Sequence, residues 1–363
     1  MHHRSTARAA LALLFTLSAG CDRGEPPMPP TDAGVDVADG DLADTGASAG
    51  DASAPDPALF TALGHGEVDC PWSAGQCEAG WPAGRVLAYE SEERFEDELH
   101  PRSFYVVVPD GVAEPAPLWI HLHGGYGSAE RTIRRHEVDE VASGEAIAWQ
   151  RNDGACRFDP YAEPAGFRRA DGEACEPLEA RAVSEERAIL VLPEGVNRDG
   201  QRHWEDGRVP SPGFGGELER RDDVGFLDHV IATLLADPEL PIDRERIYLS
   251  GISNGGNLVL RAICTVGDPR YPELARVAAF SVVVSALAEG SARGLSGRAA
   301  CRASAPHPLP VHYVVGRGFD TPDPETDGDG RVPWGVPGEV RANNSPSGGM
   351  MLSVDDTFDL LRR

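Results

Sequence analysis

Short apolar runs that alternate with helix-compatible stretches constrain the fold of this chain more than any other feature. Six such runs occupy residues 103–109, 118–123, 188–192, 246–250, 279–285 and 310–315. Between them, residues 224–236 have the clearest helical period of apolar side chains. Apolar strands separated by helices are typical of a mostly parallel sheet with helices on both faces. No fixed repeat is visible, which argues against a solenoid or a propeller.

The run at residues 246–250 leads directly into the sequence GISNGG at residues 251–256, and a helix is predicted over residues 256–264. Gly251 and Gly255 lie two residues before and after Ser253. Glycines at these positions let the chain turn sharply, so that a serine hydroxyl stands clear of the sheet. The pattern predicts Ser253 as a nucleophile, and the alternative is a glycine-rich turn in which Ser253 only caps the helix.

A second glycine motif follows the run at residues 118–123, where the chain reads HGGYG over residues 123–127. The backbone N–H groups of such a turn can bind a developing oxyanion. We expect the donors to be Gly125 and Asn254, the residue after the proposed nucleophile. His123 is assigned to turn geometry and hydrogen bonding, and an ordinary tight turn is the alternative.

The chain resembles a group of α/β-hydrolases in four features. These are RIYLSGISNGG at residues 246–256, DDVGF at 222–226, LPEG at 192–195 and Trp204. This group contains the secreted polyhydroxybutyrate depolymerases and the feruloyl and acetylxylan esterases. The resemblance covers about residues 103–361 and is interrupted by an extra segment at about 148–186. It implies an α/β-hydrolase fold and hydrolysis of carboxylic esters, without a cofactor, by a Ser-Asp-His triad.

The same resemblance points to the acid of the triad but leaves its histidine unassigned. Residues 315–320, VGRGFD, resemble the family's acid turn with one residue added, which favours Asp320, with Asp323 in reserve; an acidic surface loop is the alternative. The family order is Ser, acid, His, and the last histidine here is His312, before Asp320. Residues 352–361 resemble the helix before the last strand, so the C-terminal strand and histidine loop are expected to be lacking.

Three hypotheses follow for the function. In the first, the chain descends from an active secreted esterase and lacks its C-terminal end. In the second, it is a catalytically impaired envelope lipoprotein that binds a polymer or a partner. In the third, it is a serine peptidase that uses the same sharp turn around Ser253, residues 251–255, called the elbow below. Loss of a triad base removes several orders of magnitude of rate, so the first two predict weak or no ester turnover by residues 22–363.

The N-terminus has the pattern of an export signal, with Arg4 and Arg8 before the apolar residues 9–17. The ending LSAGC resembles a bacterial lipobox, although Ser18 replaces the usual aliphatic residue. It predicts a signal peptide over residues 1–20 and lipidation of Cys21. An ordinary secretory signal is the alternative. Residues 21–57 form an acidic Ala, Asp, Gly and Pro tether that cannot bury enough surface to fold. The hydrolase domain is therefore expected over residues 58–363, at the cell envelope or outside the cell.

Six cysteines remain after Cys21, an even number in an oxidising compartment. Sequence order suggests three neighbouring disulfide pairs, although other pairings remain open: Cys70 with Cys77, Cys156 with Cys175, and Cys264 with Cys301. No metal site is expected, because the spacing of two residues between cysteines is absent and the histidines do not cluster with them.

The charged residues exclude further classes of function. The 33 basic residues are all arginine, so lysine Schiff-base chemistry, a Ser-Lys dyad and a P-loop are excluded. A formal charge of −26 argues against binding to nucleic acid. We expect a monomer that contacts the membrane through a lipid anchor only. The loop at residues 196–220 is expected to shape the pocket with the extra segment, and Arg202 and Arg208 fit surface charge and packing better than a ligand site.

Overall fold

The computed structural model describes most of the predicted sheet and its helices. The described residues are 59–69, 84–136, 146–147, 157–159, 166–168, 181–182, 187–198, 201–208, 221–283, 285–293, 301, 308–314, 341–342, 350–352 and 354–362.

One central sheet of eight strands organises this part of the chain. Its strands are β1 Phe60–Glu67, β2 Gly84–Phe95, β3 Glu98–Pro109, β4 Ala116–Leu122, β5 Ile189–Pro193, β6 Ile242–Ile252, β7 Val277–Val283 and β8 Val311–Val314. The helices are α1 Ala129–His136, α2 Asp223–Ala236, α3 Asn254–Ile263, α4 Glu289–Arg293 and α5 Val354–Leu361, with a short 3-10 helix at Glu273–Arg276.

The strand order is β1-β2-β3-β5-β4-β6-β7-β8. The first three strands pair antiparallel, β3 is also antiparallel to β5, and the five strands from β5 to β8 in this order are parallel. The crossover of β4 and β5, followed by parallel strands with intervening helices, is the arrangement of an α/β-hydrolase fold. The predicted fold class is confirmed.

All residues of β4 and β5 are buried, as expected for strands covered on both faces. One face packs against the apolar sides of α2 and α3, including Phe226, Ile231 and Leu258. Half-buried Leu360 and Leu361 of α5 pack against the same core. Within the described residues, no helix is long and apolar enough to cross a membrane.

The sequence analysis missed β1 and β2, and it placed the start of α3 two residues too late. β1 is almost wholly exposed, and β2 carries buried Ser91 and Glu93 among its inward residues, so neither has a continuous apolar run. The strand predicted at residues 103–109 is β3, which begins at Glu98 and runs antiparallel to β5. The described pieces of the extra segment form two small ribbons separate from the central sheet, Arg157–Asp159 with Gly166–Arg168 and Ala146–Ile147 with Arg181–Ala182.

The DDVGF sequence anchors α2 beneath the sheet through its two carboxylates. Asp222 caps the helix, since its Oδ1 accepts a hydrogen bond from Gly225 N over 3.0 Å. Asp223 is buried and pairs with Arg102, which also binds Glu93 over 2.9 Å. The second Asp223 oxygen accepts a hydrogen bond from Glu205 N. Removing one partner of such a buried pair typically costs about 3–5 kcal/mol, so this cluster fixes the position of the chain around Glu205.

Candidate active site

Ser253 lies at the sharp turn where β6 ends and α3 begins. Its φ is +52° and its ψ is −121°, a conformation that a residue with a side chain adopts only when its surroundings impose it. Its N–H donates to Val283 O over 2.9 Å, and its carbonyl accepts from Asn257 N over 2.9 Å and from Ser285 Oγ over 2.7 Å. The side chain is exposed, whereas its neighbours on both sides are buried. The predicted strand, turn and helix are confirmed; the nucleophilic role of Ser253 stays a prediction.

Close backbone packing explains the glycines around Ser253. A Cβ on Gly251 would lie 2.5 Å from Gly255 O, and a Cβ on Gly255 would lie 2.4 Å from His123 O. Real Cβ atoms do not approach backbone oxygens so closely, so a side chain at either position would force the turn apart. The elbow is therefore tight against the end of β4.

The two halves of the predicted oxyanion hole lie side by side. A Cβ built on Gly124 would be 3.5 Å from the Ser253 Cβ, and one built on Gly125 would be 3.6 Å from the Asn254 Cβ. Asn254 is the first residue of α3, so its N–H has no acceptor within the helix. The structure thus brings together the residues that the sequence analysis selected as donors, whose role in binding an oxyanion stays a prediction.

The glycine turn that contains Gly125 is held in place by a neighbouring segment of the chain. Tyr126 has a φ of +61°, a second left-handed residue beside the elbow. Its N–H donates to Arg202 O over 2.9 Å, and Gly127 N donates to Gly124 O over 3.0 Å. Arg202 lies at the ribbon formed by Val196–Arg198 and Gln201–His203, so this ribbon supports the glycine turn.

His123 holds the glycine turn and its buried ring has a defined tautomer. Its Nε2 accepts a hydrogen bond from Gly195 N over 3.0 Å, so the proton is on Nδ1, which donates to Gly124 O over 2.7 Å. Both nitrogens of the neutral His123 ring are thus hydrogen-bonded to backbone groups. This confirms the prediction that His123 serves turn geometry, and it leaves no nitrogen for the proton of Ser253.

A buried polar network connects the chain at residues 204–208 to the elbow. Asn254 Oδ1 accepts from Trp204 N over 2.7 Å, and Asn254 Nδ2 donates to Trp204 O over 3.1 Å. The same Nδ2 donates to Asp206 Oδ2 over 2.7 Å, and Asn257 Nδ2 donates to that oxygen over 3.1 Å. The Arg208 Nε donates to Asp206 over 2.9 Å. Arg208 is buried, so the predicted packing role is confirmed and the predicted surface position is wrong.

Glu194 is a buried carboxylate beside the turn. Its Oε1 accepts from Ala129 N at the start of α1 over 3.2 Å, and Oε2 lies 2.9 Å from Arg202 Nε. His123 Nε2 is 3.9 Å from the same oxygen. Burial raises the pKa of Glu194 to about 7, although Arg202 and the Ala129 N–H act in the opposite direction. The site therefore contains a carboxyl group that titrates near neutral pH.

His203 is a second histidine, besides His123, that lies next to the glycine turn. Its Nδ1 would lie 3.6 Å from a Cβ on Gly125, and its ring packs edge-on against Tyr126 with centroids 4.6 Å apart. From the sequence, His203 is only one of two histidines, with His123, that could be recruited as the base if the protein is robustly active, because nothing in its local pattern marks it. Its position depends on the ribbon at residues 196–203.

Two further histidines, His121 and His312, lie on strands of the central sheet. His121 Nδ1 is 2.7 Å from Ser250 Oγ, which also accepts from Trp119 Nε1. His312 Nδ1 is 3.3 Å from Ser281 Oγ, and burial lowers the pKa of His312. These pairs connect adjacent strands, since His121 is opposite Ser250 and Ser281 is opposite His312.

One predicted disulfide is present and several predicted sites lie outside the described residues. Cys264 at the end of α3 is bonded to Cys301, which confirms that pair. No group of three or more His, Cys, Asp or Glu in the described part of the chain could hold a metal ion. The predicted residues outside the described part are Cys21, Cys70, Cys77, Cys156, Cys175, Asp320 and Asp323.

Comparison with known proteins gives distant similarity to hydrolases. The chain is 25% identical over 196 residues to the oxidized polyvinyl alcohol hydrolase of Sphingopyxis sp. (strain 113P3), which covers 53% of this chain. The chain spans about half, 47%, of that curated relative. No family model matches.

Among solved structures, native pOPH aligns with a TM-score of 0.35 and 15% identity over 77% of this chain and 73% of its own. The acetyl xylan esterase from Aspergillus awamori aligns with a TM-score of 0.28 and 13% identity, over 51% of this chain and 47% of its own. Because both TM-scores are below 0.5, the fold assignment depends on the strand order and the elbow described above.

Proposed function

We propose that this chain is a carboxylic ester hydrolase in which Ser253 is the nucleophile. The observation that carries the proposal is the exposed Ser253 side chain, held in a left-handed turn between the first residue of α3 and the glycine turn after β4. A serine presented in this way, next to two backbone N–H groups, fits acyl transfer. The resemblance to secreted depolymerases and esterases supports a polyester, or an acylated polysaccharide or aromatic ester, as substrate. The similarity to an oxidized polyvinyl alcohol hydrolase supports hydrolase activity in general and does not specify an ester.

In the proposed reaction, Ser253 Oγ attacks the ester carbonyl carbon while its proton passes to a histidine base. The carbonyl oxygen becomes an oxyanion that accepts hydrogen bonds from the N–H groups of Gly125 and Asn254. The C–O bond then breaks, the alcohol leaves with the proton, and an acyl-enzyme remains. Water then attacks the acyl carbon while the base takes a proton from it. The bond between the acyl carbon and Ser253 Oγ breaks, the base returns the proton to Oγ, and the carboxylic acid leaves. Asp320 is proposed to orient the imidazole and stabilise its charged form.

The role of Ser253 as nucleophile can be tested even if ester turnover is slow. Wild type, Ser253→Ala and the buried-serine control Ser281→Ala would be treated with an alkyl fluorophosphonate and analysed by peptide mass spectrometry, in parallel with p-nitrophenyl butyrate hydrolysis. We expect labelling at Ser253 in wild type and in Ser281→Ala, and loss of both labelling and turnover in Ser253→Ala. Ester turnover that survives Ser253→Ala would reject the proposal. Labelling without turnover would favour the binding-protein hypothesis, and cleavage of peptides alone would favour the peptidase.

The base can be assigned in the same assay. His123 is unsuited because both ring nitrogens are bonded to the backbone. His203 lies beside Gly125, so His203→Gln tests it directly. Turnover that depends on both Ser253 and His203 supports His203 as the base, whereas turnover that survives His203→Gln excludes it.

We further propose that the chain is exported and held at the cell envelope by lipid on Cys21. The support is the basic, apolar and LSAGC pattern of its N-terminus. Labelling with a palmitate analogue should mark the wild type and not Cys21→Ser. Equal labelling of both proteins would contradict the anchor.

A further inference from the structure

The chain at residues 204–208 contacts both halves of the proposed oxyanion hole. On the elbow side, the Trp204 backbone forms two reciprocal hydrogen bonds with the Asn254 side chain. On the turn side, Trp204 Nε1 donates to His123 O over 2.8 Å, and the His123 and Trp204 rings are tilted with centroids 4.7 Å apart. Trp204 is 3% exposed, so these bonds are shielded from water. One residue therefore joins the chain before Gly125 to the side chain of Asn254.

Asp206 fixes this connection. Asp206 is 2% exposed, and its side chain accepts hydrogen bonds from Asn254, Asn257 and Arg208. Its carbonyl accepts from Ser291 Oγ over 3.0 Å. A carboxylate buried among amide donors and one guanidinium is costly to leave unpaired, so all of these groups are held in one arrangement.

The Asn254 side chain is directed into this network. Its oxygen accepts from Trp204 N, and its nitrogen donates to Trp204 O and to Asp206. A fixed Asn254 side chain fixes the first peptide of α3, whose N–H is the proposed second oxyanion donor. Because donors for an oxyanion contribute most when they are already in place, the distance between the Gly125 and Asn254 N–H groups should matter more for rate than for substrate binding.

We propose that Asp206 is a positioning residue that, through Asn254 and Trp204, holds the two oxyanion donors at a fixed separation. The proposal rests on the proposed function of Ser253. It assigns to Asp206 no contact with substrate: its effect reaches the reaction through the Asn254 side chain and through the Trp204 bond to His123 O.

Hydrogen exchange tests the structural half of the proposal independently of catalysis. The variant is Asp206→Asn, which keeps the shape and removes the charge and one acceptor. Its control is Asp228→Asn. Asp228 is a half-buried carboxylate that accepts hydrogen bonds from the N–H groups of Glu273 and Leu274, but it lies on α2. We expect faster amide exchange in Asp206→Asn over residues 120–127 and 251–257. Asp206 is connected to the first of these segments through Trp204, which donates to His123 O, and through Asn254, which lies against Gly125.

Kinetic measurements test whether Asp206 affects the reaction rate. With p-nitrophenyl butyrate, Asp206→Asn should lower kcat by about 10-fold to 100-fold and change KM by less than about twofold, since a displaced oxyanion donor acts mainly on the transition state. Phosphonylation of Ser253 by a fluorophosphonate should slow by a similar factor and provides the rate when ester turnover is too slow to measure. Asp228→Asn should leave kcat and the phosphonylation rate unchanged, even where it lowers stability.

The outcomes separate the two proposals. Unchanged exchange over residues 120–127 in Asp206→Asn, or a loss of rate equal to that in Asp228→Asn, would overturn the positioning role. A rise in KM with unchanged kcat would also overturn it. Failure of the proposed function would instead appear as full activity in Ser253→Ala, and the exchange result would still decide whether Asp206 holds the turn.

Discussion

Gly255 and His123 are in direct backbone contact: a Cβ on Gly255 would lie 2.4 Å from His123 O and 2.6 Å from Leu122 O. This contact joins the first turn of α3 to the end of β4. It places the proposed nucleophile beside the glycine turn at a separation that backbone atoms alone determine.

The first prediction concerns this contact. Gly255→Ala should lower the free energy of unfolding by about 3 kcal/mol, because the new methyl group meets two carbonyl oxygens that cannot move without separating β4 from α3. The control is Gly66→Ala on β1, where a Cβ would meet nothing within 4 Å. That variant should be within about 0.5 kcal/mol of wild type. Urea denaturation measures both, and similar values for the two variants would contradict the packing described here.

The second prediction concerns strain at Ser253. Ser253→Gly should be more stable than Ser253→Ala by about 1 kcal/mol, because glycine adopts a φ of +52° without steric cost and this gain exceeds its extra freedom in the unfolded chain. The Ser253 side chain is exposed, so lost packing contributes little to either variant. Thermal unfolding of the two proteins measures the difference. A less stable glycine variant would show that the turn is unstrained.

The third prediction concerns pH. The pKa of Glu194 is about 7 in the folded chain and ordinarily 4.5, so the folded state binds the proton more tightly. The contribution of Glu194 to stability is therefore complete below about pH 4.5 and is lost as pH rises towards 7, by about 3 kcal/mol for a difference of this size. Glu194→Gln cannot ionise and should lose less stability than wild type between pH 5 and pH 8.

Denaturant titrations at pH 5, 6.5 and 8 compare the two proteins. Other carboxyl groups, such as Asp228 with a pKa raised by burial to about 6, affect both proteins equally and cancel in the comparison. Parallel pH dependences would show that Glu194 is ionised in the folded state at low pH, as its contact with Arg202 alone would favour.

The fourth prediction concerns the Cys264–Cys301 disulfide, which closes a loop of 37 residues. Loss of a crosslink of this length should destabilise the chain by about 2–4 kcal/mol, mainly by freeing the unfolded state. Cys301→Ala alone removes the crosslink, so the double variant with Cys264→Ala should be only slightly less stable than the single variant. Additive losses from the two substitutions would contradict a shared bond in the folded protein.

The sequence predicted most of the parallel part of the sheet because those strands are buried on both faces and read as apolar runs. It did not predict β1 and β2, whose inward positions include Ser91 and Glu93. Glu93 is compatible with burial because Arg102 binds it from a diagonal position on β3, opposite Ser91, and because Arg221 also lies nearby. Such pairing depends on strand register, which single-residue preferences do not encode.

Local sequence by itself determined the elbow, since the glycines around Ser253 and the flanking strand and helix lie within a few consecutive residues. It also predicted the HGG turn, and it suggested the pair Cys264 and Cys301 while leaving other pairings open. Only the tertiary structure decided that Asp206 and Trp204 join the elbow to that turn, that both His123 nitrogens are used, and that the pKa of Glu194 is near 7. These properties arise from groups distant in sequence that meet in a buried environment, where hydrogen bonding and desolvation depend on the three-dimensional arrangement.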